Sequence, residues 1–115
     1  MSSRDVFLDA FDRVSQAVHG AVRGLTREQL AHRIDPGANS IAWLIWHLTR
    51  VQDDHICDLA GTEQMWTAQG WADRFSLPLP VEDTGYGHTS EEVAAVRVGE
   101  KLLTGYHDAV HAHTA

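Results

Sequence analysis

The amino-acid sequence predicts an all-α protein that folds as an up-and-down bundle of long helices. Apolar residues recur at helical spacing over three long segments, and residues suited to helix caps precede two of them. The connection over residues 61–89 has no long alternation of apolar and polar residues, the pattern that is typical of strands. With 115 residues, the chain is expected to form one domain over residues 1–115. We expect long helices at about residues 3–25, 40–60 and 90–115.

The first predicted helix has one apolar face. Its apolar residues are Phe7, Ala10, Phe11, Val14, Val18, Ala21, Val22 and Leu25. Gly24 is expected to help end this helix. Thr26 and Gln29 then have the spacing of a capping box, which predicts a short turn of helix up to about Arg33. This turn stops before the loop Asp35-Pro36-Gly37.

The central helix, predicted to follow a Ser40 cap, is the most strongly amphipathic segment. Its main apolar stripe, at ~100° per residue, comprises Ile41, Leu44, Ile45, Leu48, Gln52, His55, Ile56 and Leu59. A second stripe contains Trp43, His47 and Val51, and it places His47 at the edge of the buried surface. A ligand at that edge can face the bundle interior and still meet a substrate.

The connection over residues 61–89 loses the helical period and mixes aromatic residues with proline and glycine. A connection of this length is often functional in a compact domain. We expect a short helix at about Gln69–Phe75. We also expect the aromatic residues Trp66, Trp71, Phe75 and Tyr86 to plug the open end of the bundle rather than to bind a ligand.

The last predicted helix begins at about Ser90, after a second capping box formed by Thr89 and Glu92, with a kink near Gly99. Its apolar pattern continues into the final residues, so we expect a bundle that is incomplete at its C-terminal end. A fourth helix, missing from this chain or supplied by a partner, would complete the core. The expected partner is a second copy, in a homodimer.

Charge and cysteine content exclude several classes of protein. The 16 acidic and 9 basic residues give a formal net charge of −7, which argues against nucleic-acid and anionic-membrane partners. The longest apolar run, Ile41 to Trp46, is far shorter than the roughly 20 residues that cross a bilayer. Cys57 is the sole cysteine, and the N-terminus lacks a signal-peptide pattern, so we expect a cytoplasmic protein. Phosphate-binding, nucleophile-elbow and CxxC motifs are absent from the sequence.

The eight histidines raise the question of a metal site. His107 and His111 are one helical turn apart, and such a pair suits zinc, nickel or iron when a third ligand converges from elsewhere. The helical wheel places both about 100 to 140° from the stripe of Tyr106, at the flank of the helix or in water. They are therefore either metal ligands or solvent-exposed histidines near the C-terminus.

Other candidate residues lie on the central helix. His55 is either a core histidine with a hydrogen-bonded ring or a ligand. His47 is either a ligand or a side chain that reaches from the bundle flank to water. Cys57, on the polar side, is not an expected nucleophile, because no sequence neighbour lowers its pKa strongly. Three aspartates either support a metal or only solvate the polar face: Asp53, Asp54 and Asp58.

The segment Ser40 to Arg50, reading SIAWLIWHLTR, resembles the second-helix signature of DinB-like four-helix bundles. It is most similar to the DUF664 branch, which is related to the N-terminal domain of mycothiol-dependent maleylpyruvate isomerase. The resemblance implies a divalent metal, zinc or nickel, held by one histidine of helix two and a pair of His or acidic residues on the last helix. His47 matches the first ligand. Either the chain is truncated before that pair, or His107 and His111 substitute for it, or a dimer partner supplies it.

Two hypotheses for function follow from these features. The first is a divalent-metal-dependent enzyme, in which an open coordination position activates water or a low-molecular-weight thiol for transfer, isomerisation or hydrolysis. The second is a non-catalytic helical module whose exposed apolar faces drive dimerisation or partner binding.

Overall fold

The computed structural model describes residues 3–33 and 38–114, and these residues form seven helices and no strand. In chain order the helices are α1 (Ser3–Val22), α2 (Arg27–Ala31), α3 (Ile41–Ala60), α4 (Met65–Ala68), α5 (Trp71–Phe75), α6 (Ser90–Ala94) and α7 (Glu100–Thr114). The predicted all-α class is confirmed. None of the described helices combines the length and the hydropathy that a membrane crossing requires. The predicted loop at residues 35–37 lies outside the described residues.

The helix starts follow the capping chemistry that the sequence predicts. Thr26 Oγ1 accepts the backbone N–H of Gln29 at 3.1 Å, and Gln29 Oε1 accepts that of Thr26 at 2.9 Å. Thr89 and Glu92 make the same reciprocal pair at the start of α6, with distances of 3.2 and 2.9 Å. The side chain of Ser40 caps α3. These caps fix the first turns of α2, α3 and α6.

The long helix α7 holds the bundle together, because it packs against both α1 and α3, while α1 and α3 contact each other less. The core includes Val18 and Val22 of α1, Ile45 of α3, and Leu103 and Val110 of α7, all at most 4% exposed. An open groove lies between α1 and α3.

The predicted helix over residues 90–115 is interrupted, which corrects the expectation of one continuous, kinked helix. Between α6 and α7, residues 96–99 are not helical. Val96 and Val98 are buried and Arg97 between them is exposed. The backbone carbonyl of Arg97 accepts a hydrogen bond from Nε of Arg27 at 2.9 Å. Burial of two valines in a non-helical segment outweighs the helical pattern here.

A buried carboxylate anchors the long connection to α3. Asp53 is 1% exposed, and its oxygens accept the backbone N–H groups of Met65 and Trp66, each at 2.9 Å. Asp53 also accepts the hydroxyl proton of Tyr106 at 2.7 Å. The assignment of Asp53 to a solvated polar face was therefore wrong, because this carboxylate satisfies the free donors of the first turn of α4.

Three of the four aromatic side chains of the connection pack into the core against α7. The ring of Trp66 lies 4.9 Å from that of Phe75 and 5.0 Å from that of Tyr106, centroid to centroid. Trp71 packs against the same cluster. Tyr86 differs, since it is 70% exposed and lies against His47 instead.

Candidate functional site

His47 lies on α3 between two aromatic rings. Its imidazole stacks on Trp43, with centroids 4.7 Å apart and planes inclined by 15°. The edge of Tyr86 meets it at 5.1 Å. The backbone turns sharply at Gly85, which has a φ of 106° and is buried beneath the rings of His47 and Trp43. The imidazole is therefore held in one position by the segment that follows residue 83.

The backbone of this segment also fixes the tautomer of His47. Nδ1 of His47 makes a hydrogen bond with the carbonyl oxygen of Thr84. A carbonyl oxygen only accepts, so Nδ1 carries the proton and Nε2 has the lone pair. None of the described residues makes a hydrogen bond to Nε2. A histidine that donates through one nitrogen to a carbonyl is in the usual state of a metal ligand.

His47 lines the open groove between α1 and α3, a hollow of about 500 Å³. The lining residues are Phe11, Val14, His47, Leu48, Val51, Gln52, His55, Ile56 and Tyr86. His55 is exposed on its rim, which corrects its assignment to the apolar core. A second apolar hollow of about 390 Å³ shares Phe11 and Ile56 with the groove. Nε2 of His47 thus lies beside a long apolar surface formed by the groove and the second hollow.

A second group of potential ligands lies beside the first. Potential metal-ligand atoms of Asp83, His88 and Glu92 all lie within 4.8 Å of one another. The described residues contain no other such group of three His, Cys, Asp or Glu side chains. Nε2 of His88 is 3.1 Å from Asp83 Oδ2 and 3.9 Å from Glu92 Oε2. A hydrogen bond from the Thr89 backbone lowers the pKa of Glu92, which favours its carboxylate form. These three residues are a candidate metal site.

Hydrogen bonds already occupy both nitrogens of His88. Nε1 of Trp43 donates to Nδ1 of His88 at 3.1 Å, so the ring proton of neutral His88 is on Nε2, facing Asp83. A cation can bind Nε2 of His88 only if the proton on Nε2 leaves or moves to Nδ1. A proton on Nδ1 would face the N–H group of Trp43, which disfavours the move. His47 needs no such change to present a lone pair. The geometry therefore favours His47 over His88 as a metal ligand.

Sequence reasoning missed the group of Asp83, His88 and Glu92. The available signal was the capping box, because His88 directly precedes the cap residue Thr89 and Glu92 is the third residue after that cap. Asp83 carried no such signal. It reaches His88 because Gly85 and Gly87, both with positive φ, fold the intervening chain back.

His107 and His111 lie on another face of the bundle from His47. His107 is fully buried, so its placement at the flank or in water was wrong. Its Nδ1 contacts Oγ1 of Thr49, which is two residues after His47 on α3 and hence directed ~160° away from it. His47, His107 and His111 are not among the groups of converging ligands in the described chain. As one three-ligand site, they remain a prediction.

Cys57 is buried, which corrects its assignment to the polar side of α3. Its thiol donates to Oδ1 of Asp53 at 3.3 Å. Burial raises the pKa of Cys57, and the Asp53 carboxylate acts in the same direction, so the thiol form is favoured. The expectation that Cys57 is not a nucleophile agrees with this environment.

These observations define an all-helical bundle in which a histidine of α3 faces an open interhelical groove. The family model of the DinB superfamily matches residues 10–115, and the chain therefore belongs to this superfamily, whose members typically bind metals. A conserved protein from Enterococcus faecalis, known from its crystal structure, is similar with 30% sequence identity and a TM-score of 0.90. The match covers 99% of this chain and 68% of that one. No curated protein matches the chain.

Proposed function

We propose that this chain binds a divalent metal ion, zinc or nickel, through Nε2 of His47, and that it is a metal-dependent enzyme. The observation that carries the proposal is the bond between Nδ1 of His47 and the Thr84 carbonyl, which leaves the lone pair on Nε2. Superfamily membership supports the same assignment. The position of His47 in the groove leaves room for a substrate beside the ion.

The proposed chemistry is that of the low-molecular-weight-thiol transferases and isomerases or of hydrolases. A bound zinc or nickel with an open position would make a coordinated thiol or water more acidic and more nucleophilic. The apolar lining of the groove suits the carbon skeleton of a small substrate. Among these chemistries, the DUF664-like signature around His47 favours a reaction that uses mycothiol as the thiol. Further ligands are expected from a second copy of the chain, in a homodimer.

The test is the metal content of protein purified without a histidine tag. His47→Gln removes the proposed ligand, and His55→Gln is the matched control, because both residues lie on α3 and line the same groove. We expect the first variant to lose the ion bound at His47 and the second to keep every ion of the wild-type protein. An unchanged metal content in His47→Gln would refute the proposed ligand. Thiol-dependent turnover by wild-type protein but not by His47→Gln would support the enzyme.

A non-catalytic dimerisation module is the second candidate, and the apolar surface favours it. Phe7 is 64% exposed and Leu59 is 85% exposed, and both line the hollow next to the groove. Replacement of both by serine should then weaken self-association in sedimentation experiments. A monomeric wild-type protein at tens of micromolar would argue against this candidate.

A further inference from the structure

Two buried imidazole nitrogens on α7 have no hydrogen-bond partner among the described residues. Nε2 of His107 and Nδ1 of His111 are both shielded from solvent, and neither makes a hydrogen bond to residues 3–33 or 38–114. Buried polar atoms are nearly always paired with protein or with an ordered molecule. The two residues are one helical turn apart, so their unpaired atoms belong to one region of the α7 surface.

The neighbours of His107 determine which of its nitrogens is protonated. Oγ1 of Thr49 donates its only proton to the Ile45 carbonyl at 2.7 Å. It can therefore only accept from Nδ1 of His107, 3.1 Å away. The proton is on Nδ1, and the unpaired Nε2 carries a lone pair.

The same reasoning gives the tautomer of His111. Its Nε2 lies 2.9 Å from Oδ1 of Asp12 on α1. A carboxylate oxygen accepts, so the proton of the neutral ring is on Nε2 and the buried Nδ1 carries the lone pair. His107 and His111 thus present two imidazole lone pairs, each with an oxygen partner that orients the opposite nitrogen.

The surroundings of this pair favour a cation. The two rings are nearly parallel, with an interplanar angle of 9° and centroids 6.3 Å apart. Asp12 contacts His111, and Asp108 interacts electrostatically with His107. Two imidazole nitrogen donors with the Asp12 carboxylate beside them match the preferences of late first-row transition metals.

We propose that His107 Nε2 and His111 Nδ1 bind one divalent transition-metal ion, of the zinc, nickel or copper class, between α1 and α7. This site is separate from His47, which lies on the opposite side of α3. Water or a mobile side chain completes the coordination. The ion enters from the side of His111, whose side chain is 24% exposed, whereas His107 is fully buried.

The test uses metal-free protein titrated with cobalt, whose visible absorption reports imidazole coordination, and with zinc in competition. His111→Gln removes one ligand at a partly exposed position. His113→Gln is the matched control, because His113 is exposed on the same helix and makes a hydrogen bond with Thr62. We expect His111→Gln to abolish one cobalt-binding step, Asp12→Asn to weaken that step by roughly 10–100-fold, and His113→Gln to leave it unchanged.

Comparison with His47→Gln separates this proposal from the proposed function. Independent loss of two different ions in His47→Gln and His111→Gln supports two sites. Loss of one and the same ion in both variants overturns the separate site and supports a shared one. Unchanged cobalt binding in a folded His111→Gln protein overturns the proposal and leaves a buried water as the partner of both nitrogens. Long-range ¹H–¹⁵N spectra supply a second test, because any state other than Nδ1–H for His107 and Nε2–H for His111 in metal-free protein also overturns it.

Discussion

The indole of Trp43 donates its Nε1 proton to Nδ1 of His88 at 3.1 Å, while its ring face stacks on His47. One side chain on α3 thus holds a candidate ligand from each of two neighbouring groups. The segment of residues 83–88 completes the connection, because it contains Asp83, His88 and the Thr84 carbonyl that orients His47. A substitution of His88 should consequently affect the imidazole of His47.

The first prediction concerns the Trp43 donor. Trp43→Phe removes the hydrogen bond that holds the proton of His88 on Nε2. Such a hydrogen bond contributes about 1 kcal/mol. A cation at Asp83, His88 and Glu92 should then bind about fivefold more tightly. Zinc titrations of Trp43→Phe with and without His88→Gln isolate the part of the binding that depends on His88. Tighter binding that survives His88→Gln would assign the effect to His47.

The second prediction concerns Gly85, at a φ of 106°, where an added Cβ would lie 2.5 Å from Nδ1 of His47. Gly85→Ala should displace the imidazole, lower the free energy of unfolding by about 2–3 kcal/mol and weaken metal binding at His47. Gly87→Ala is the control, because Gly87 also has positive φ but has open space around it. It should cost only about 1 kcal/mol, measured by urea denaturation. Equal effects of the two changes would show that strain, not the His47 contact, is responsible.

The third prediction concerns the carboxylate that anchors the connection. Asp53→Ala leaves the N–H groups of Met65 and Trp66 and the hydroxyl of Tyr106 without their acceptor. We expect the free energy of unfolding to fall by about 3–5 kcal/mol. Asp58→Ala, at an exposed position of the same helix, should change it by less than about 0.5 kcal/mol. Comparable losses from both would contradict the anchoring role.

The fourth prediction is a pH dependence caused by His107, whose burial lowers its pKa from 6.5 to about 4. Below pH 6.5, His107 is protonated in the unfolded chain but stays neutral in the folded chain. The free energy of unfolding therefore falls as the pH drops from about 6.5 towards about 4. Above pH 6.5, His107 is neutral in both the folded and the unfolded chain, so it does not make the free energy of unfolding depend on pH. The loss should be on the order of 2 kcal/mol, measured by denaturation of metal-free protein. A conservative His107→Asn variant should lack this component, and an unchanged slope in that variant would contradict the assignment.

The sequence predicted the helices well where periodicity and caps agreed. The boundaries of α1 and α3 differ from their predicted ranges by at most three residues, and both capping boxes formed. Periodicity failed at Val96 and Val98, because two valines with alternate spacing can be buried by a non-helical segment as well as by a helix. The helical wheel also cannot foresee which side of a helix a later segment covers. Asp53 and Cys57 were placed on a polar face that the connection in fact buries.

The candidate sites were less predictable than the helices. His47 was found from its motif and its edge position, but the bond to Thr84 depends on a loop conformation that no period encodes. The unpaired nitrogens of His107 and His111 follow from how α7 inserts between its neighbours. Spacing identified these residues as candidates, whereas the proton positions required the tertiary contacts.

The central place of α7 has a consequence for the order in which the protein folds. Because α1 and α3 meet mainly through α7, the contacts that join the first helix to the rest span almost the whole chain. During synthesis, α1 and α3 leave the ribosome well before residues 100–114, and their apolar faces then lack the surface that covers them. We expect the nascent chain to remain loosely ordered until α7 emerges, and we expect the bundle to form afterwards in one cooperative step.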